Sequence, residues 1–322
     1  MKFKPDKHTL QICYTVDDNF VDLCCASIYS IVRRKDPETK IIFYIIGDRL
    51  TKPETFDIFS YLPDIDINVL LIDATSIMKD QDVSYCPSYS AWLRFIIPDI
   101  PAFKNIHRIL YLDADIFARK DVTPVYQAEL YGYPLGMVKD TTGVYLKDLV
   151  PWPDPEYHTK DFYCNDGLML MDLDKFRKRR LSEKLMYFSM HRSMVKMNDQ
   201  HVVNNVMHYE TWFLPPTYQL SYHNFIRIPD SLISFVDRWN NYHGTNYDTI
   251  EELIRSSYFW HFHEDKKEHM KYPLLKHIIE SFMNDMYEFR QTGIVKPWSP
   301  EDDESFYAIP ALSEKKNHLS SL

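Results

Sequence analysis

Residues 109–117 read Ile-Leu-Tyr-Leu-Asp-Ala-Asp-Ile-Phe, a buried-strand pattern that stops at two aspartates one residue apart, Asp113 and Asp115. Side chains at i and i+2 of a strand share a face roughly 7 Å apart, and a bend at the strand end can bring such a pair onto one cation. Hard carboxylate oxygens of this kind suit Mg²⁺ or Mn²⁺ carrying a phosphorylated substrate. The same spacing recurs at Asp64-Ile65-Asp66 and Asp172-Leu173-Asp174, so context has to choose. The first follows Leu62-Pro63 and precedes alternating Ile67, Val69 and Leu71, which reads as a solvated turn. Asp174 precedes Lys175-Phe176-Arg177-Lys178 and reads as a helix N-cap behind a strand at 168–171. Asp113 and Asp115 alone lie deep in apolar sequence on both sides, where ionised groups need a counter-charge. A capped turn is the plain alternative.

The sequence before this stretch sets the fold class. Leu10 to Val16 reads as a strand, and Asn19 to Arg34 carries apolar residues at helical spacing (Phe20, Leu23, Cys24, Ile28, Ile31). A strand at 41–46, a helix near 53–61 and a strand at 67–72 follow. Strands alternating with helices imply an α/β domain with a mostly parallel, Rossmann-like central sheet flanked by helices. Ligands of such sheets bind at the carboxyl ends of the strands, where Asp17, Asp18, Asp48, Asp73 and Asp113 all fall. Aspartate also favours turns after strands, which is an equal account of Asp48 and Asp73.

Bulk properties narrow the function classes. With 322 residues, 45% of them hydrophobic, the chain can bury a large core in one big domain or two modest ones. No run approaches the ~18 apolar residues of a membrane span, and the start Met1-Lys2-Phe3-Lys4 lacks a signal-peptide pattern, which predicts a cytoplasmic protein. Five cysteines without a C-x-x-C pair predict reduced core thiols. A net charge of −9 argues against general nucleic-acid affinity. Seven glycines, none in a glycine-rich loop, mean that any nucleotide is held in another way.

Beyond 150, Pro151-Trp152-Pro153-Asp154-Pro155 reads as a rigid loop and Gly167–Leu173 as a buried strand. Helical patterns follow at 182–192 and 199–209. Tyr258 to His263 alternates, which puts His261 and His263 on one face. From Pro273 to Phe289 an amphipathic helix is expected to pack on the core, and the tail after Trp298 is acidic at Glu301-Asp302-Asp303-Glu304. The expected division is a main domain over 1–272 and a smaller C-terminal helix and tail over 273–322.

Six blocks in order, from about residue 10 to about 270, resemble glycosyltransferase family 8, the retaining GT-A enzymes that include bacterial lipopolysaccharide galactosyl- and glucosyltransferases. Tyr14-Thr15-Val16-Asp17-Asp18-Asn19 is similar to the strand and turn that hold uracil and ribose, with Asp17 on the base and Asn19 on the ribose. An Asx turn with Asn19 capping the next helix is the structural alternative. Ser90-Ala91-Trp92-Leu93-Arg94-Phe95 resembles the helix whose arginine faces the donor sugar and diphosphate. Asp113-Ala114-Asp115 matches the metal motif. Asn165-Asp166-Gly167 resembles the turn whose asparagine bonds sugar hydroxyls, with Asp166 where the family carries a small residue. Asn198-Asp199-Gln200 matches the helix start beneath the anomeric centre. The family's H-x-x-G-x-x-K block corresponds to His261 and Lys267, with Glu264 in place of glycine and with His263 and Lys266 as neighbouring alternatives.

The resemblance implies a GT-A fold and transfer of a hexose from a UDP-sugar, UDP-Glc or UDP-Gal, to a glycan, lipid-linked or protein acceptor in lipopolysaccharide or surface-glycan synthesis. It implies Asp113, Asp115 and His261 as metal ligands, and mixed carboxylate and imidazole ligation places Mn²⁺ ahead of Mg²⁺. Thr15, Asp17, Asn19, Arg94, Ala114, Asn165, Gln200 and Lys267 would bind the donor, Asp140 the acceptor, and Asp199, Gln200 and Asp166 would flank the reacting carbon. The acidic tail limits any membrane contact to a peripheral one at the inner face. Two other classes compete: a carboxylate-dependent hydrolase, either glycosidase or phosphatase, and a non-catalytic protein that binds sugar nucleotides or glycans. Phe117 and the hundred-odd residues before Asp113 depart from a dehalogenase-type phosphatase.

Overall fold

A computed structural model describes residues 9–77, 89–140, 163–191, 199–221, 232–262 and 273–299. Cys86, the 151–155 loop, Asn198, His263, Glu264, Lys266, Lys267 and the acidic tail lie outside the described residues. The strands are β1 (Thr9–Val16), β2 (Lys40–Asp48), β3 (Ile65–Ile72), β4 (Arg108–Leu112), β5 (Ile116–Ala118), β6 (Leu135–Lys139), β7 (Cys164–Asp172), β8 (Thr211–Phe213), β9 (Gln219–Ser221) and β10 (Phe259–His261). The longer helices are α1 (Val21–Val32), α2 (Leu173–Arg179), α3 (Leu181–His191), α4 (Asp199–Met207), α5 (Leu232–His243), α6 (Ile250–Ser256) and α7 (Pro273–Thr292).

The strands build a seven-stranded sheet in the order β3-β2-β1-β4-β7-β6-β8. The β1–β2, β2–β3, β1–β4 and β6–β8 pairs are parallel, and β7 runs antiparallel to both of its neighbours. Strand order reverses between β1 and β4, so the crevice beyond their carboxyl ends is the natural ligand site of the sheet. Alternate residues feed two cores. Leu110, Leu112, Leu168 and Leu170 face one side with α1 and α7, while Ile109, Tyr111, Met169 and Met171 face the other with α3 and α4. Both faces are covered, which explains the near-continuous apolar runs of these strands.

Two segments expected to be α-helical are 3₁₀ helices, Pro53–Tyr61 and Tyr89–Asp99. A three-residue turn stacks i and i+3, and the apolar anchors have that spacing: Phe56 and Phe59 in the first, Trp92, Phe95 and Pro98 in the second. The N-cap after β7 is Asp172 rather than Asp174. The strand runs to Asp172, whose carboxylate accepts the Lys175 amide at 3.0 Å, while Asp174 pairs with His107 at 2.7 Å. Asp64 sits at φ 60° in a turn, and Asp66 pairs with Lys40 at 2.7 Å on the surface. Neither look-alike pair forms a site.

Helix α7 closes the fold against α1. Phe289 stacks on Tyr29 with centroids 4.9 Å apart, and Phe282 stacks on Phe117 at 4.6 Å. Ion pairs Arg33–Asp285 and Arg290–Asp22 flank this contact. Burial of a phenylalanine such as Phe289 contributes about 1.5–3 kcal/mol, so α7 is held by its apolar face. Cys13, Cys24, Cys25 and Cys164 are buried and form no disulfide with one another. Among the described residues, no helix is long and apolar enough to cross a membrane.

Candidate active site

The two aspartates and the histidine meet because of one register. The chain leaves the main sheet at Asp113 and enters a small three-stranded sheet, β5-β10-β9, in which His261 pairs with Ile116. The Phe262 amide donates to the Asp115 carbonyl at 3.2 Å, and the Asp113 amide donates to the Gly167 carbonyl at 2.8 Å. His261 Nε2 then lies 3.2 Å from Asp115 Oδ1 and 3.7 Å from Asp113 Oδ2. One ligand atom from each of Asp113, Asp115 and His261 falls within a 4.8 Å span.

Glycine at 167 is required by close approach. A Cβ there would come within 2.8 Å of His261 Nδ1 and 2.9 Å of Asp113 Oδ2, so only glycine lets β7 pass beneath the cluster. The donor set, one imidazole with two carboxylates, suits a divalent cation. The charge balance agrees, since Asp113, Asp166 and Asp199 all pair with the one buried guanidinium of Arg94, while Asp115 lies against His261.

Arg94 is 4% exposed and organises the carboxylates. Nη2 lies 2.8 Å from Asp113 Oδ1 and 2.9 Å from Asp199 Oδ2, Nη1 donates to the Asp166 carbonyl at 3.1 Å, and Nε donates to the Ala91 carbonyl at 2.8 Å. Asp166 Oδ2 is 2.9 Å from Nη1 but out of line for a hydrogen bond, so that contact is an ion pair only. The guanidinium also lies 4.8 Å from the centroid of the Tyr111 ring, whose hydroxyl donates to Asp113 Oδ1 at 2.7 Å. Burial pushes the Asp113 carboxyl up, and Arg94 opposes the shift.

Burial raises the Asp166 carboxyl well above the usual carboxylate range, with Arg94 opposing and Asp199 and Asp113 adding to the rise. A raised folded-state pKa favours the protonated form, so this residue's contribution to stability falls as pH rises above about 4, its unfolded value. In metal-free protein, Asp166→Asn therefore melts above the wild type at pH 8. The gap closes towards pH 4, changing by at most about 1.4 kcal/mol per pH unit. Thermal melts across that range check it, and a gap that widens on acidification contradicts the assignment.

A carboxamide network continues from the cluster. Asn165 Nδ2 donates to Gln200 Oε1 at 3.0 Å and to Asp140 Oδ2 at 3.2 Å, and Gln200 Nε2 donates to the same Asp140 oxygen at 3.2 Å. The Gly167 amide donates to Asn165 Oδ1 at 3.0 Å and pins its orientation. Gln219 Nε2 lies 2.5 Å from that oxygen and 2.8 Å from His261 Nδ1, which is itself 3.0 Å from Asn165 Oδ1. His261 Nδ1 can thus accept from Gln219, with Nε2–H towards Asp115. It can equally donate to Asn165, which frees the Nε2 lone pair for a cation.

Asn204 docks α4 onto β7 by bonding both the amide and the carbonyl of Cys164, each at 2.7 Å, which places Gln200 one turn earlier beside Asn165. At the β1 end, Thr15 Oγ1 lies 3.0 Å from the Tyr111 hydroxyl. Asp17 accepts the Asn19 amide at 2.9 Å in an Asx turn, and α1 starts behind Phe20 without a side-chain cap. Ala114 is buried between the two aspartates. Asp48 and Asp73 serve turns: Asp48 accepts the Ala74 amide at 3.0 Å, and Asp73 accepts from Ser76.

The fold gathers Asp113, Asp115, His261, Arg94, Asp166, Asp199, Asn165, Gln200 and Asp140 in one place, together with Tyr111, Gln219 and Asn204, which are not among the site residues expected from the sequence. Tyr111 was findable, because a tyrosine two residues before Asp113 on a buried strand must share its face and find a hydroxyl partner. Gln219 sits in a three-residue strand too short to carry a period.

Comparison with known proteins agrees with this geometry. A sequence model described as "Glycosyl transferase family 8" matches residues 11–267. The lipopolysaccharide 1,2-glucosyltransferase of Escherichia coli (strain K12) is 31% identical over 218 residues, covering 66% of this chain and 62% of that protein. The probable galacturonosyltransferase-like 3 of Arabidopsis thaliana is 23% identical over 266 residues, covering 77% of this chain and 69% of that protein. Among solved structures, the galactosyltransferase LgtC in complex with donor and acceptor sugar analogues superposes with a TM-score of 0.63 at 15% identity, over 88% of this chain and 99% of that one. That likeness establishes the GT-A fold. With the family match spanning most of the sequence, the chain belongs to glycosyltransferase family 8.

Proposed function

We propose that this chain is a retaining, metal-dependent hexosyltransferase that moves glucose or galactose from a UDP-sugar to a hydroxyl group of a glycan, with lipopolysaccharide or another surface glycan as the acceptor class. The observation that carries the reading is the convergence of Asp113, Asp115 and His261 beside the Asn165–Gln200–Asp140 network. A divalent cation bound there, Mn²⁺ ahead of Mg²⁺, supplies Lewis-acid stabilisation of the departing UDP. Thr15, Asp17 and Asn19 take the uracil and ribose at the β1 end, and Ala114 leaves room beside the diphosphate. Asn165 and Gln200 orient the sugar hydroxyls, and Asp140 receives the acceptor. Lys267 would add positive charge at the diphosphate.

Retention requires the acceptor to arrive on the face that UDP leaves. Asp166 and Asp199 are the carboxylates available as a nucleophile, but both are buried against Arg94, and the Gln200 amide is bonded to Asn165 and Asp140. That engagement favours front-face attack: the acceptor oxygen bonds to the anomeric carbon, the bond to the diphosphate oxygen breaks, and the proton passes to UDP. Arg94 then acts by holding the carboxylates in place. Family membership argues against a hydrolase, and the presence of Asp113, Asp115, Arg94, Gln200 and His261 together argues against a non-catalytic binder.

The test is UDP release from UDP-Glc, UDP-Gal, UDP-GlcNAc and UDP-GalNAc with Mn²⁺ or with chelator. Release from UDP-Glc or UDP-Gal that chelation abolishes is expected. Release from none of the four, or release indifferent to metal, would overturn the reading.

A further inference from the structure

A cavity of about 610 Å³ lies beside β6 and β8, walled by Tyr131, Trp212, Tyr218 and Tyr242 with Lys139 and His243. That volume is typical of a small-molecule site. The Trp212 ring packs against Tyr131, with centroids 4.6 Å apart, and against Tyr133, at 5.7 Å. Tyr131 is 70% exposed and held at φ 46°, followed by Gly132 at φ 95°. A bulky aromatic residue in the left-handed region is uncommon, and such strain tends to persist where a site uses it. The polar heads are as distinctive: the Lys139 ammonium lies over the Phe213 ring, and His243 Nε2 is buried without a hydrogen-bond partner.

This chemistry suits a carbohydrate. One face of a pyranose ring presents only C–H groups, which pack against an aromatic π-face, while the hydroxyl rim bonds to amphipathic tyrosines and to lysine. A nucleoside diphosphate would call for an arginine cluster that this wall lacks. Addition of a partner strand to β8 is blocked by its three-residue length and by Pro215-Pro216 close behind it. The cavity also adjoins the transfer site: Lys139 borders both it and a small cleft lined by Asp140, Asn165 and Gln219, and the Tyr242 hydroxyl donates to the Asp140 carbonyl at 3.0 Å.

We propose that this aromatic cleft is a second glycan subsite, which holds the body of the acceptor chain while its terminal sugar lies at Asp140. The proposal rests on the glycosyltransferase reading and extends it to acceptor length. The test titrates the full chain with the core oligosaccharide released from lipopolysaccharide by mild acid and with maltotetraose, alongside acceptor-free UDP release. At least one oligosaccharide binds the wild type. Tyr131→Ser and Trp212→Leu weaken that binding at least tenfold, Tyr131→Phe retains it, and UDP release is unchanged in all three. Tyr131 is mostly in solvent, so its variants decide the matter even if Trp212→Leu fails to fold. Equal affinity in Tyr131→Ser and the wild type, or no binding of either oligosaccharide, overturns the subsite. Loss of UDP release in the wild type overturns the functional reading instead, and the binding titration still reports on the cleft.

Discussion

Asp113→Asn lowers metal-dependent UDP release and transfer by about 10³-fold, equivalent to ~4 kcal/mol of transition-state stabilisation, and the folded protein persists. Asp113 is the junction of the site: one oxygen takes the Tyr111 hydroxyl and Arg94, and the other faces His261. The amide keeps the volume of the carboxylate and one acceptor oxygen but loses the charge a cation needs. Stability should hold or rise, because the variant removes one carboxylate from a cluster that already outnumbers its guanidinium, leaving Arg94 with Asp166 and Asp199. Steady-state rates and a melting curve on the same preparation check both halves. Near-normal turnover would sink the metal clamp, and a large drop in melting temperature would make Asp113 a structural ion-pair partner.

Gly167→Ala is expected to weaken Mn²⁺ binding roughly 100-fold although residue 167 offers no side chain to a ligand. The added methyl group would meet His261 and Asp113 Oδ2, neither of which can retreat easily. His261 is held by Gln219 and Asn165, and the Asp113 amide is bonded to the Gly167 carbonyl itself. Relief therefore comes from turning the imidazole, which removes its Nε2 from the ligand set. Calorimetric Mn²⁺ titration of the variant and the wild type gives the ratio. Unchanged affinity would show that the histidine does not ligate from this rotamer.

These effects follow from sequence features of very different legibility. The parallel half was readable because β1 and β2 are long and largely apolar, β3 alternates cleanly, and helix-period segments separate them, and the Asp113–Asp115 pair stood out because its sequence neighbours on both sides are apolar. The 3₁₀ geometry of Tyr89–Asp99 was hidden, because Trp92, Leu93 and Phe95 satisfy an α-helical period as well as a three-residue one. The assignment of Asp174 as a cap failed by two residues, since β7 and α2 meet without a loop and either aspartate could start the helix. His261 was legible only through resemblance. Its approach to Asp115 depends on pairing between β5 and β10, more than 140 residues apart, which no local pattern encodes. Gln219 and Asn204 belong to the same class, acting through contacts made after distant segments meet.

The central claim is that Asp113, Asp115 and His261 hold one divalent cation. Anomalous scattering at the manganese edge, from crystals grown with Mn²⁺ and UDP, tests it most directly. A single strong peak bounded by Asp113, Asp115 and His261 Nε2 is the predicted result. A peak elsewhere, or one whose nitrogen ligand is not His261, would contradict it.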